Sequence, residues 1–185
     1  NGTDPNAAGT GFSSPYAKIT IPGTFTGWNV NGNWENTMKL VGNNSWQALI
    51  FVSTNTMAAT NQFKFAPGTW TGSWGRGPAA NVAVQNASEN LLTTALNAQG
   101  YYRFDFNDFS GVFSVTAVSG GADADADGLP DAYEVWFGGQ LMPAVTDLDP
   151  TGDPDGDGAT TAQEFAAGSN PILDVAGPVI TLVGD

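Results

Sequence analysis

Short runs in which apolar and polar residues alternate recur through residues 17–118, at 18–21, 46–52, 62–66, 101–106 and 112–117. A period of two puts successive side chains on opposite faces, so each run predicts a strand with one buried face. Clusters of Gly, Asn, Pro and Ser separate the runs and supply turns. Residues 91–96 read as a further strand or a short helix. No segment sustains a helical period. Five or more short strands in roughly 100 residues fit an antiparallel β-sandwich. Phe25, Phe63, Phe65, Phe104 and Phe106 are its expected core or half-buried positions, and Trp28 and Trp46 are expected to pack in the core or at turns. Residues 1–16, rich in Gly, Asn and Ser, read as a linker or loose terminus.

After Gly120-Gly121 the alternation stops, and 119–175 follows a different rule. Asp123, Asp125, Asp127, Asp131 and Glu134 stand at positions 1, 3, 5, 9 and 12 of one stretch, with Gly128 at 6 and Leu129 at 7. Asp153, Asp155, Asp157, Thr161 and Glu164 repeat the spacing, with Gly158 at 6 and Ala159 at 7. Oxygens at alternate positions wrap a hard cation, and glycine makes the sharp turn. The carbonyl at position 7 fills one vertex, and the glutamate closes the sphere with two oxygens. Two complete copies predict two Ca²⁺ sites, with Thr161 acting directly or through water. Asp147 and Asp149, just upstream of the second copy, either complete a shell or are solvated charge. Helices are expected after the loops. Pro130 starts one and Gly138-Gly139 stops it; Thr160 with Gln163, or Thr161 with Glu164, has capping-box spacing before Gly168 and Pro171. Trp136, Phe137, Leu141 and Phe165 would supply a very small core.

Charge sharpens this division. Of 18 acidic residues, 12 lie between Asp123 and Asp174, whereas all five basic residues (Lys18, Lys39, Lys64, Arg76, Arg103) precede Gly120. With a net charge of −13 and no basic patch, nucleic acid is excluded as a partner. Cysteine and histidine are absent, which removes disulfides and thiolate or imidazole metal sites. No apolar run is long enough to span a bilayer. Free calcium at the required level is found mainly outside cells, so an extracellular or cell-surface location is expected. A secretion signal would then have been removed or lie upstream. Carboxylates of the β region (Glu35, Glu89, Asp105, Asp108) are scattered and the rest are committed to calcium, so no catalytic pair is expected.

A glycan site needs exposed aromatic faces with polar side chains in reach. Trp70 and Trp74 stand four apart in the Gly/Thr/Ser-rich stretch 66–78, flanked by Lys64, Arg76 and Asn81. That stretch reads as a loop, and a loop buries two indoles less easily than a strand does. Trp34, in the Asn/Gly-rich segment 29–36, is a further candidate.

The order Ile21-Pro-Gly-Thr-Phe25-Thr-Gly-Trp28-Asn29, Met38-Lys-Leu40, Trp46-Gln-Ala, Phe63-Lys64-Phe65, Trp74-Gly75, Asn81-Val-Ala-Val and Gly100-Tyr-Tyr-Arg-Phe-Asp-Phe resembles the starch-binding group of carbohydrate-binding modules, above all those of bacterial amylopullulanases and starch-capturing surface lipoproteins. The resemblance covers 17–118. It implies an immunoglobulin-like sandwich that holds α-glucan, with Lys64, Trp74 and Asn81 matching family positions; Trp70 is inferred from the loop. The acidic loops resemble those of EF-hands, thrombospondin type-3 repeats and the Asp-Gly-Leu-Pro-Asp segments of secreted bacterial proteins, without entering helices. Pro130 sits at position 8, where paired EF-hands join through a backbone N–H that proline lacks. Residues 176–185 form an apolar strand-like run, and 178–182 resemble the opening strand of bacterial immunoglobulin-like domains, as in a slice of a longer chain. The resulting expectation is a non-catalytic α-glucan-binding module with a calcium-stabilised linker. The alternative is a structural module of a bacterial calcium-dependent surface protein, adhesin or fibre.

Overall fold

The computed structural model of the protein describes residues 11–141 and 144–173. The strand expected over 176–185 and most of the expected N-terminal linker lie outside that range. The chain divides into two compact units, Asn1–Ser119 and Gly120–Asp185. Among the described residues, no helix is long and apolar enough to cross a membrane.

The first unit is built of antiparallel β-structure. Its strands are β1 (Lys39–Gly42), β2 (Ser45–Val52), β3 (Asn61–Phe63), β4 (Trp74–Arg76), β5 (Ala83–Gln85), β6 (Leu91–Thr93), β7 (Gly100–Asn107) and β8 (Phe113–Ala117). One sheet has the order β1-β2-β7-β8, while β3 pairs with β6 and β4 with β5. The long central pair follows the sequence alternation. Trp46, Ala48 and Ile50 lie opposite Phe106, Phe104 and Tyr102, and all six are buried. Against this face stand Phe63 and Phe65. Phe65 stacks on Phe106 at 4.0 Å, and Phe63 meets Phe104 edge-on at 5.6 Å, so aromatic contacts join β7 to the β3 segment.

Two expectations are corrected here. Residues 18–21 form no strand; Thr20 alone bridges both Thr37 and Ala66, and Pro22, which has no N–H, follows at once. The end of the expected loose terminus is tied down. Ser14 Oγ donates to the buried Asp108 carboxylate, Asn44 N–H donates to Ser13 carbonyl at 2.9 Å, and Tyr16 packs edge-on to Trp74 at 4.9 Å. Aromatic side chains among the small polar residues give this segment something to bury.

The second unit carries two short helices, α1 (Asp131–Gly138) and α2 (Thr161–Ala167). Pro130 is the N-cap of α1 and makes no side-chain cap. In α2 the Thr160 hydroxyl accepts from Gln163 N–H while Gln163 caps Thr160 N–H in return, and Gly168 closes the helix at φ +79°. The core is Leu129, Tyr133, Phe137 and Leu148, all buried, with Phe165 edge-on to Tyr133 at 4.9 Å. Trp136 and Leu141, expected in that core, are only half-buried. Among the described residues no β-bridge joins 129–131 to 159–161. Proline at 130 and the capped N–H of Thr160 account for that.

Candidate metal centres and the exposed aromatics

Both acidic loops adopt the same backbone path. Position 4 is left-handed in each (Ala126 φ +61°, Gly156 φ +78°), and position 6 reaches φ +97° at both Gly128 and Gly158. Only glycine accepts that last geometry readily. The first aspartate pins each turn. Asp123 accepts from Asp127 and Gly128 N–H at 3.2 and 3.1 Å, and Asp153 accepts from Gly156 and Gly158 N–H at 2.8 and 3.0 Å. The residue at position 9 closes the loop base through its N–H: Asp131 to Ala122 carbonyl and Thr161 to Gly152 carbonyl, both at 2.8 Å.

Each loop gathers carboxylates that could hold a metal ion. In the first, one oxygen from each of Asp125, Asp127, Glu134 and Asp147 falls within 4.8 Å of the others. In the second, the same holds for Asp153, Asp155 and Asp157. The first grouping departs from the expected ligands. Asp123 and Asp131 stand outside it; Asp131 Oδ1 instead accepts from Ala124 N–H at 2.8 Å. Asp147 enters from beyond the loop. Its neighbour Asp149 does not, since its carboxylate is held by the Thr151 N–H and hydroxyl, at 2.8 and 2.7 Å, which lowers its pKa. The sequence contained both aspartates but not the turn that separates their roles.

Two buried glutamates accompany these groups, Glu134 as a member of the first and Glu164 close to the second. Glu134 is 4% exposed, and its Oε1 accepts from Leu148 N–H at 2.8 Å. Burial raises its pKa, and the charges of Asp127, Asp125 and Asp147 raise it further. Glu164 is fully buried; Ser169 hydroxyl reaches its Oε1 at 3.2 Å, and among the described residues no hydrogen-bond partner reaches Oε2. Burial first, then the charges of Asp155, Asp157 and Asp153, push its carboxyl up to about 7. Asp155 Oδ2 is likewise buried and unpartnered, and burial raises the Asp155 pKa. Asp125 is raised through desolvation and the adjacent Asp127 charge. Carboxylates brought this close repel, and a cation is the simplest group that would satisfy them.

The expected aromatic platform does not form. Trp74 is 3% exposed; it opens β4, bridges Phe65, and packs edge-on against Phe106 at 5.3 Å. The stretch expected to be a loop turns back as the β4–β5 pair, which carries the indole into the core. Lys64 is also buried. Its Nζ donates to Ala87 carbonyl at 2.6 Å, and burial lowers its pKa. Asn81 is exposed at φ +57°, where its carbonyl accepts from Phe113 N–H. Trp70 remains exposed (48%), and its ring lies 6.3 Å from that of Trp28 at 44°. Trp28, itself at φ +58°, is half-buried, as is Trp34. Comparisons with protein-family models, curated proteins and solved structures return no match.

Proposed function

We propose that the second unit binds two Ca²⁺ ions and that the ions give it its fixed shape, in a non-catalytic protein acting outside the cell or at its surface. The observation that carries this reading is Glu164: a fully buried carboxylate with an unpartnered oxygen, set close to three converging aspartates. An isolated buried carboxylate is costly unless paired or bound to a metal. The ligands would be Asp153, Asp155, Asp157, Glu164 and the Ala159 carbonyl at one site, with Thr161 in support. At the other, Asp125, Asp127, Glu134 and the Leu129 carbonyl form the nucleus. Oxygen donors in this number suit calcium; magnesium, which holds a tight octahedron and keeps its water, would substitute poorly. Isothermal titration calorimetry of the full chain tests this, with two calcium equivalents expected. No uptake at millimolar calcium overturns it.

For the first unit the proposal is an immunoglobulin-like sandwich that binds α-glucan at the exposed Trp70 and the half-buried Trp28 beside it, with weak affinity on the order of 0.01–1 mM. The exposure of Trp70 favours this reading. The burial of Trp74 and Lys64 favours the alternative, a structural module of a calcium-dependent surface protein. Retention on immobilised amylose, lost in Trp70→Ala, supports the glycan reading. Wild-type protein that passes unretained leaves the structural module.

A further inference from the structure

We infer that the first calcium ion is shared between the first loop and the segment leading into the second, with Asp147 as its fourth carboxylate ligand and Asp123 and Asp131 bracing the loop. The inference rests on the calcium reading above and concerns how that site is built. Four observations carry it. Asp147 contributes an oxygen to the same 4.8 Å group as Asp125, Asp127 and Glu134, although it lies 13 positions beyond Glu134 in the chain. Glu134, 4% exposed, points its carboxylate into the group while Leu148 N–H fixes Oε1; among the described residues no hydrogen bond reaches Oε2. Leu148 is 2% exposed, so the residue beside Asp147 is anchored in the core. Asp123 and Asp131 stand outside that group, and Asp131 Oδ1 accepts Ala124 N–H at 2.8 Å.

The two sites therefore do different work. The second draws its carboxylates from one loop and the helix that follows it. The first joins α1 to residues 147–148 and so fixes where the second loop begins. Filling the first site would order the approach to the second, and the two ions would bind with positive coupling.

The test compares calcium titrations of the full chain in the wild type, Asp147→Asn and Asp149→Asn. Asp147 is exposed, and Asn is nearly isosteric, so the substitution spares folding. The expected result is a tenfold or greater weakening of one calcium equivalent in Asp147→Asn, with Asp149→Asn within about twofold of wild type. Two wild-type equivalents that persist unchanged in Asp147→Asn overturn this inference and leave the calcium reading standing. Absence of uptake by the wild-type chain overturns both. Equal weakening by Asp149→Asn assigns the effect to lost loop charge and overturns the role of Asp147.

Discussion

The two units solve the same problem with opposite materials. In the first, 19 buried apolar side chains from Ile19 to Phe113 form one core, and its buried polar groups, such as Asn36 and Asn61, are mostly bonded to backbone or neighbouring side chains. Among the described residues of the second, Leu129, Tyr133, Phe137 and Leu148 are buried, and two buried glutamates stand close to groups of aspartates. Apolar burial is indifferent to solution conditions on this scale; carboxylate crowding is not. A small core of this kind is what a metal ordinarily supplements. The second unit's stability should therefore depend on whether its carboxylates hold a cation, and the first unit's should not.

Removal of divalent metal is the largest expected break in that comparison. With excess chelator, residues 123–165 should become protease-sensitive and lose their amide dispersion in NMR, while the β-sheet resonances stay in place. Persistent protection of the second unit in chelator would mean that its apolar core suffices.

The next largest effect should fall on the other side. Trp74→Ala removes an indole that is 3% exposed and packed on Phe106 and Tyr16, and should cost about 3–5 kcal/mol of the first unit's stability. Trp70→Ala, at an exposed position, should stay within about 0.5 kcal/mol. Chemical denaturation followed by fluorescence separates the two. Similar values for both would undo the placement of Trp74 in the core.

How much of this was legible in the sequence follows the same division. The alternation of Trp46, Ala48, Ile50 and of Tyr102, Phe104, Phe106 was readable because long strands repeat their signal. Three-residue strands such as β4 and β5 repeat nothing, and Gly72 and Ser73 ahead of Trp74 carried a loop signature. Tertiary packing overrode it. Thr160, Gln163 and Gly168 were legible as cap chemistry because capping is local. Leu129 and Leu148 escaped because loop residues carry no period, and Tyr133 because a helix of eight residues repeats too little to show one. The acidic spacing announced two loops whose carboxylates could hold a cation. Which carboxylates converge depended on a turn at Asp149 that only folding reveals.

A pH series on the chelated protein sharpens the contrast further. Glu164 has its folded pKa raised from the usual 4.5 to about 7 by burial and by Asp155, Asp157 and Asp153. The metal-free folded unit therefore holds a proton that the unfolded chain releases. Its stabilising effect is full below about 4.5 and is lost as pH rises through about 7. Glu134 and Asp155 shift in the same direction. The chelated second unit should resist protease better at pH 5 than at pH 8, whereas calcium affinity should rise with pH because the ligands must be charged. An apo unit that grows more stable with pH would show that these carboxyls do not face one another.

The smallest effect tests whether local helix chemistry or the ion organises the second loop. Thr160 caps α2 through its hydroxyl, and Gln163 completes the box. Thr160→Ala removes one half of that exchange and should cost about 1 kcal/mol. The substitution leaves every carboxylate in place, so the cost must be met from calcium binding to the second site, with affinity falling by roughly fivefold to tenfold if the helix is formed only in the bound state. If α2 is formed before calcium arrives, the loss appears in the stability of the chelated unit and calcium affinity is unchanged. Calorimetry together with far-ultraviolet circular dichroism in chelator distinguishes these cases. The first outcome is expected, because Glu164 is both a residue of that helix and the carboxylate that calcium would hold.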